Sequence, residues 1–150
     1  MFKLSDISKK RLEGVKPELV AIVERAIEIT GVDFGVTQGL RTIEEQEALV
    51  ARGASKTMKS KHLTGDAVDL AAYIGSRVSW EITLYDDIAD AMKQAAIELD
   101  TPIRWGAAWT VADITKWEGT MQEATDAYVD WRRGEGRRPF IDAPHFELVK

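Results

Sequence analysis

Two histidines, His62 and His145, have the clearest potential for chemistry in this sequence. The chain contains no cysteine, so a metal site would have to be built from histidines and carboxylates. Catalytic zinc sites commonly use three protein ligands and leave a further position for water. His62, Asp69 and His145 could supply such a set. Because histidines also serve in structural and exposed positions, these residue types alone leave a structural role open.

The spacing around His62 suits a site of this kind. His62 lies in a segment without helical or strand periodicity, and Asp69 lies in the apolar segment that follows. Gly65 permits a tight turn between them. Successive side chains of a strand point to opposite faces, so Ala67 and Asp69 share a face, and the small Ala67 leaves room for a metal and a substrate. His145 belongs to the last apolar segment, which could pair with the Asp69 strand.

Two acidic residues near His145 are candidates for proton transfer. Asp142 lies three residues before His145, and Pro144 restricts the backbone between them. Asp142 is the preferred general base for a metal-activated water. Glu147, which would share a strand face with His145, could instead be the base or could orient a ligand from behind.

Basic residues could complete the site. Arg41 precedes a capping-box pattern over residues 42–45 and could direct its guanidinium at a substrate carboxylate or a developing oxyanion. The lysines that flank the His62 segment could attract an acidic substrate, and they are Lys56, Lys59 and Lys61. Solvated surface positions are the alternative interpretation for all four residues.

Hydrophobic periodicity predicts the elements that must position these residues. The predicted helices cover residues 17–30, 42–50, 84–99 and 121–132. The predicted strands cover residues 32–37, 67–72, 102–105 and 145–149. Mixed helices and short strands indicate the α+β or α/β class, and the strands are too few and too short for a doubly wound sheet.

The composition indicates one globular domain. The chain has 150 residues, 45% of them hydrophobic, and a net charge of −5, which argues against a nucleic-acid partner. The one basic cluster, Arg132, Arg133, Arg137 and Arg138, is interpreted as a solvated loop. No apolar run is long enough to span a membrane, and the first ten residues lack the apolar core of a signal peptide. The sequence therefore predicts synthesis in the cytoplasm without export by that route, and no stable membrane association.

Two motifs in this chain resemble those of a known enzyme family. Residues 60–69 read Ser-x-His-x-x-Gly-x-Ala-x-Asp, and residues 142–148 read Asp-x-Pro-His-x-Glu-Leu. Five specified positions of the first motif match by chance on the order of once in 10⁴ chains of this length. With Arg41 upstream, the motifs resemble the LAS family of zinc peptidases, in the VanY-like superfamily. That family includes D-alanyl-D-alanine carboxypeptidases, dipeptidases and phage L-alanyl-D-glutamate endolysins.

The resemblance implies a fold and a site. The implied fold is α+β, a small antiparallel sheet flanked by helices, as in LAS peptidases and hedgehog-like domains. The implied ligands of one Zn²⁺ per chain are His62, Asp69 and His145, the implied catalytic residues are Asp142 and Arg41, and the implied substrate contacts are Ser60 and Arg41. An aspartate at position 142 fits the endolysin branch, because the dipeptidase branch usually has glutamate as the base.

One segment departs from the family pattern. Phage members often carry Trp-Gly-Gly-Asp-Trp ahead of the last motif, whereas residues 105–109 here read Trp-Gly-Ala-Ala-Trp. The departure bears on substrate preference if the missing aspartate shapes the substrate groove. For Trp105 and Trp109, core packing is the alternative to a role in the site.

The resemblance also implies a function. The implied function is that of a phage endolysin, which hydrolyses the L-Ala–D-Glu bond of the peptidoglycan stem peptide for host lysis. Residues 1–150 are expected to form a single catalytic domain with no separate cell-wall-binding domain. A monomer is expected, held in the host cytoplasm until a holin gives it access to the periplasmic cell wall. The alternatives are a D,D-carboxypeptidase or dipeptidase of the same family, and a non-catalytic peptidoglycan-binding relative.

Overall fold

A five-stranded antiparallel sheet lies at the centre of the computed structural model, which describes residues 1–149. Its strands are β1 (Asp33–Gln38), β2 (Ala67–Ile74), β3 (Arg77–Ser79), β4 (Ile103–Trp105) and β5 (His145–Leu148). The order across the sheet is β1-β2-β5-β4, and β3 pairs with the far end of β2 as a hairpin. Asp69 in β2 therefore pairs with β1 on one edge and with β5 on the other.

The helices surround this sheet, which confirms the α+β class. They are α1 (Asp6–Arg11), α2 (Pro17–Ile29), α3 (Ile43–Ala51), α4 (Ile82–Glu98) and α5 (Met121–Gly134), with 3₁₀ turns at Lys61–Thr64 and Ile114–Lys116. The four helices and four strands predicted from periodicity are all present, and every boundary agrees within two residues. Proline at the first position of α2 and the capping box of α3 mark their starts as predicted.

Two elements lack a sequence signal strong enough to predict them. Helix α1 has six residues and buries only Ser8, whose hydroxyl accepts a hydrogen bond from the backbone N–H of Val36 at 2.9 Å. Strand β3 has three residues, all at least partly exposed. Elements of this length are too short to show a hydrophobic period. Tertiary contacts rather than local preference hold them in place.

The core forms where α2 and α4 pack on each other and on the sheet. Both helices bury an apolar face, and the fully buried residues include Leu19, Ile22, Val23, Ile88, Met92 and Ala95. Within residues 1–149, no helix is long and apolar enough to cross a membrane.

The backbone directly after β4 closely approaches the segment that leads into β5, and we call this place the β4–β5 corner. The backbone N–H of Gly106 donates to His145 O, and Gly106 O accepts from the N–H of Asp142, both at 2.8 Å. A Cβ at position 106 would lie 2.2 Å from Asp142 O. Trp105 is fully buried, and its Nε1 donates to Ala143 O at 2.7 Å. This corner therefore fixes the backbone from 142 to 145.

Gly106→Ala should destabilise the protein, because the new methyl group would collide with the backbone of Asp142, which cannot move aside as a flexible side chain would. Overpacking of this kind costs about 1–3 kcal/mol or more in the free energy of unfolding, which urea titration measures. Gly134→Ala is the matched control, because it lies in α5 with nothing within 4 Å of its added Cβ. The control should be neutral or stabilising, and equal effects of the two changes would contradict the steric argument.

Candidate active site

The register between β2 and β5 places two predicted site residues side by side. Asp69 lies directly opposite His145, and Ala67 lies directly opposite Glu147. Side chains opposite each other in an antiparallel pair point to the same face and lie about 4.5–5.5 Å apart at Cβ. The pairing of the last strand with the Asp69 strand is therefore as predicted, and it brings Glu147 onto the same face.

A short 3₁₀ turn delivers His62 to the same point. The hydroxyl of Ser60 caps this turn by accepting a hydrogen bond from the backbone N–H of His62 at 3.2 Å. Gly65 ends the turn with a φ of 75°, in the left-handed region that glycine adopts without strain. As a result, the buried imidazole of His62 lies 5.2 Å from that of His145, measured between ring centroids.

Hydrogen bonds to the outer nitrogen of each ring fix which nitrogen faces inward. Nδ1 of His62 lies 2.9 Å from Gly39 O, and a carbonyl oxygen can only accept, so this nitrogen carries the proton. Nε2 of His145 lies 2.8 Å from a carboxylate oxygen of Glu147, to which it donates. The inward nitrogens, Nε2 of His62 and Nδ1 of His145, lie 3.3 and 3.2 Å from Oδ1 of Asp69.

Three acceptor atoms thus converge, and they require a positive charge among them. One atom from each of His62, Asp69 and His145 lies within 4.8 Å of the other two. Two imidazole lone pairs and a carboxylate repel one another unless a proton or a metal cation lies between them. Neutral imidazole nitrogens and a carboxylate are a donor set of zinc sites, and outer partners such as Gly39 O and Glu147 orient histidine ligands. The residues therefore fit a divalent metal ion.

In the metal-free chain, a proton takes that position. Burial alone would lower the pKa of His145, but hydrogen bonds to Asp69 and Glu147 outweigh burial and raise it to about 9. Burial would raise the pKa of Asp69, yet the close contacts with His145 and His62 hold that pKa well below its usual range. The carboxylate of Asp69 is therefore ionised at neutral pH, as a metal ligand must be.

Glu147 links the site to a lysine. Its second oxygen, Oε2, lies 2.9 Å from Nζ of Lys61, which also donates to Leu148 O at 2.7 Å. Burial would raise the pKa of Glu147, but His145 and Lys61 outweigh burial and lower it to about 2. Lys61 thus forms an ion pair with Glu147. Lys56 and Lys59 line the same open cleft as the three acceptor residues and have no such partner among residues 1–149.

Asp142 lies in the same cleft, which has a volume of about 790 Å³. Its side chain is half-buried and makes no hydrogen bond to another residue between 1 and 149. Burial raises the pKa of the Asp142 carboxyl, and the nearby negative charge of Asp69 raises it further. A carboxyl group with a raised pKa and no fixed partner is suited to exchanging a proton with a bound molecule.

Arg41 also lines this cleft, and its backbone N–H donates to His62 O at 2.9 Å. Its Nη1 donates to Oε1 of Gln46 at 2.7 Å and to the hydroxyl of Ser60 at 3.4 Å. Gln46 is fully buried, and its Nε2 donates to Thr57 O at 2.6 Å. Gln46 therefore holds Arg41 and the loop after α3 in one arrangement. Sequence reasoning missed Gln46, because a glutamine within an amphipathic helix gives no sign of burial.

Residues 105–109, which depart from the family pattern, lie partly in the core and partly beside the candidate metal site. Trp105 packs in the core against Phe146, with ring centroids 6.1 Å apart, and Ala107 and Ala108 are fully buried beside it. Trp109 is only half-buried, and its ring lies 5.8 Å from the imidazole of His145. Core packing is thus the observed role of Trp105, whereas Trp109 lies against the candidate metal site.

Comparison with known proteins identifies the family. The family model of phage L-alanyl-D-glutamate peptidases matches residues 1–149. A curated relative, the L-alanyl-D-glutamate peptidase of Escherichia phage T5, is 38% identical over 152 residues, covering 99% of this chain and 98% of the relative. The L-alanyl-D-glutamate peptidase of Listeria phage A118 is 34% identical over 83 residues, which cover 55% of this chain and 28% of that protein.

A solved structure has the same fold. The L-Ala D-Glu endopeptidase ChiX of Serratia marcescens superimposes with a TM-score of 0.73 and 32% sequence identity, over 98% of this chain and 90% of that one. The motifs, the antiparallel sheet and these full-length matches all agree. This chain belongs to the phage L-alanyl-D-glutamate peptidase family.

Proposed function

We propose that this chain is a phage endolysin, a zinc-dependent peptidase that hydrolyses the L-Ala–D-Glu bond of the peptidoglycan stem peptide. The observation that carries the proposal is the convergence of three acceptor atoms, from His62, Asp69 and His145, at one end of an open cleft. The family membership and the full-length relative named for this activity support the choice of bond. Residues 1–150 act as one catalytic domain, as a monomer, on the cell wall.

In this proposal, Nε2 of His62, Oδ1 of Asp69 and Nδ1 of His145 hold the metal ion. A zinc ion held by three protein ligands would keep a position for water or substrate, and the three ligand residues line the open cleft. A zinc ion bound there supplies Lewis acidity to the scissile carbonyl and to the attacking water. Glu147 keeps His145 in the tautomer that presents Nδ1 to the cleft, since its carboxylate accepts a hydrogen bond from Nε2–H at 2.8 Å.

Asp142 performs the proton transfers. Its carboxylate lies in the cleft beside the three acceptors and has no competing hydrogen-bond partner within residues 1–149. Asp142 takes a proton from the attacking water and then donates it to the leaving amine of D-Glu. The raised pKa of Asp142 favours the second step, because a less acidic carboxylate binds the proton more strongly.

Arg41 and two lysines bind the negative groups of the substrate. Gln46 and Ser60 hold the Arg41 guanidinium at the wall of the cleft, so it loses little conformational freedom on binding a carboxylate or a developing oxyanion. Lys56 and Lys59 line the same cleft and attract the carboxylates of the stem peptide.

The ligand assignment predicts that loss of a metal ligand abolishes zinc binding, whereas loss of Glu147, which only orients His145, weakens it. The wild-type protein should bind about one zinc ion per chain, and His62→Ala, Asp69→Ala and His145→Ala should each lose it, as metal analysis after dialysis measures. Glu147→Gln keeps all three ligands, so it should retain the stoichiometry with an affinity roughly 10- to 100-fold weaker. Full zinc content in the His145→Ala protein would remove that residue from the ligand set.

The role of Asp142 predicts a loss of turnover without a loss of metal. Asp142→Asn conserves the shape of the side chain but cannot accept the proton, so kcat should fall about 10²- to 10⁴-fold while zinc content stays at the wild-type level. The measurement is the cleavage rate of purified stem-peptide muropeptides by mass spectrometry. A wild-type rate in this variant would exclude Asp142 as the base.

The same assay identifies the bond. Cleavage that a chelator abolishes and that leaves L-Ala alone on the glycan side is the expected result. Removal of only the terminal D-Ala would instead indicate a carboxypeptidase with the same site. No cleavage by zinc-loaded protein would contradict the enzyme and favour a peptidoglycan-binding role.

A further inference from the structure

A second pocket lies beside the proposed catalytic cleft. Its volume is about 440 Å³, and it is lined mainly by Arg104, Trp109, Tyr128, Trp131, Arg132 and Phe140. Phe140 also lines the catalytic cleft, together with Asp142 and His145. The two cavities therefore lie next to each other and share a wall at Phe140.

A row of rings forms that wall. The imidazole of His145 lies 5.8 Å from the ring of Trp109, and Trp109 stacks on Phe140 with centroids 6.3 Å apart. Phe140 and Trp131 are 60% and 46% exposed, so large apolar surfaces remain open to a ligand at the mouth of the pocket. The row leads from the proposed metal ligand directly to the second pocket.

Hydrogen bonds hold this pocket in shape without a ligand. The hydroxyl of Tyr128 donates to Phe140 O and accepts from the backbone N–H of Phe140, both at 3.0 Å. Nε and Nη2 of Arg132 donate to Arg138 O at 3.0 and 2.8 Å. The segment from 138 to 140 is thus fastened to α5 at two points. A preformed pocket of this kind requires little ordering when a ligand binds.

The charge in the pocket is positive and unpaired. Arg104 lies over the Trp109 ring, with Cζ 5.1 Å from the centroid, and it donates to the backbone carbonyl of Trp109. Neither Arg104 nor Arg132 has a carboxylate within 4 Å among residues 1–149, although the chain as a whole carries a net charge of −5. Two guanidinium groups without counterions favour an anionic ligand over a neutral one.

We propose that this pocket binds the C-terminal carboxylate of the stem peptide, on the D-Glu side of the scissile bond, which extends the substrate site beyond that bond. This inference rests on the proposed function for the identity of the ligand. The guanidinium of Arg132 binds the carboxylate, Arg104 adds positive charge to the same pocket, and Trp131 and Phe140 cover the apolar part of the peptide. A neutral sugar of the glycan strand would use the rings but would leave both guanidiniums without an anion.

The test measures binding of product-like peptides, so it does not depend on turnover. The probes are a peptide that begins at D-Glu and ends in a free D-Ala carboxylate, the same peptide with a C-terminal amide, and a neutral N-acetylglucosamine disaccharide, which carries no carboxylate. Isothermal titration calorimetry of zinc-loaded protein should show that the acid binds roughly 10-fold more tightly than the amide, which is typical of one hydrogen-bonded ion pair.

Substitutions of Arg132 test whether the preference for the acid over the amide comes from this pocket. Arg132→Gln should remove the difference between acid and amide, and Arg132→Lys should retain part of it, because lysine keeps the charge but loses the planar fork. Arg133→Gln is the matched control, since it removes the same charge from the next, exposed residue, which does not line the pocket. The control should keep the full preference.

The outcomes separate this inference from the proposed function. Equal binding of acid and amide, or a preference that survives Arg132→Gln, would overturn the carboxylate site even if the L-Ala–D-Glu bond is cleaved. Tighter binding of the disaccharide, lost in Arg132→Gln, would also overturn it and would assign the pocket to the glycan. Failure to cleave muropeptides would contradict the proposed function alone, because the peptide binding measurement is independent of cleavage.

Discussion

The antiparallel pairing of β2 with β5 sets Asp69 opposite His145 and Ala67 opposite Glu147. Side chains alternate with a period of two, so a slip of one residue in this register would send His145 and Glu147 to the other face of the sheet. Both the inward nitrogen of His145 and the carboxylate that fixes its tautomer therefore depend on one set of backbone hydrogen bonds. The close approach of Gly106 to Asp142 and His145 holds the entrance to β5 in that register.

The same pairing creates an electrostatic cost that other residues must offset. Burying a carboxylate beside two imidazoles is unfavourable unless each polar atom has a partner. Here the outer atoms are satisfied by Gly39 O, Glu147 and Lys61, while the inner atoms face one another. A cation at the centre would relieve that repulsion, so metal binding is expected to stabilise the folded chain as well as supply the chemistry.

Hydrogen bonds fix one part of the cleft lining, and aromatic rings form another. In the first part, Gln46 fixes Arg41 through a buried network of hydrogen bonds, in a segment otherwise rich in exposed lysines. In the second part, a row of rings runs from His145 through Trp109 to Phe140 and opens into a pocket with unpaired arginines. The proposed metal centre thus adjoins two positive regions of an acidic protein, which suits a substrate with several carboxylates.

Local patterns were sufficient to predict the long elements, because apolar periodicity and caps act over neighbouring residues, as in α2, α3 and α4. The motifs around His62 and His145 also indicated the family and the three candidate ligands, since their residue types and spacing are rare together. The sequence could not place Gln46 behind Arg41, separate the core tryptophan Trp105 from Trp109 at the site, or show that Arg132 lines a pocket. The loop after α3 folds back on Gln46 and buries it, the approach of residues 143–145 to β4 separates the two tryptophans, and the return of residues 138–140 to α5 forms the pocket. Hydrophobic periodicity encodes none of these contacts, so only the tertiary structure decided them.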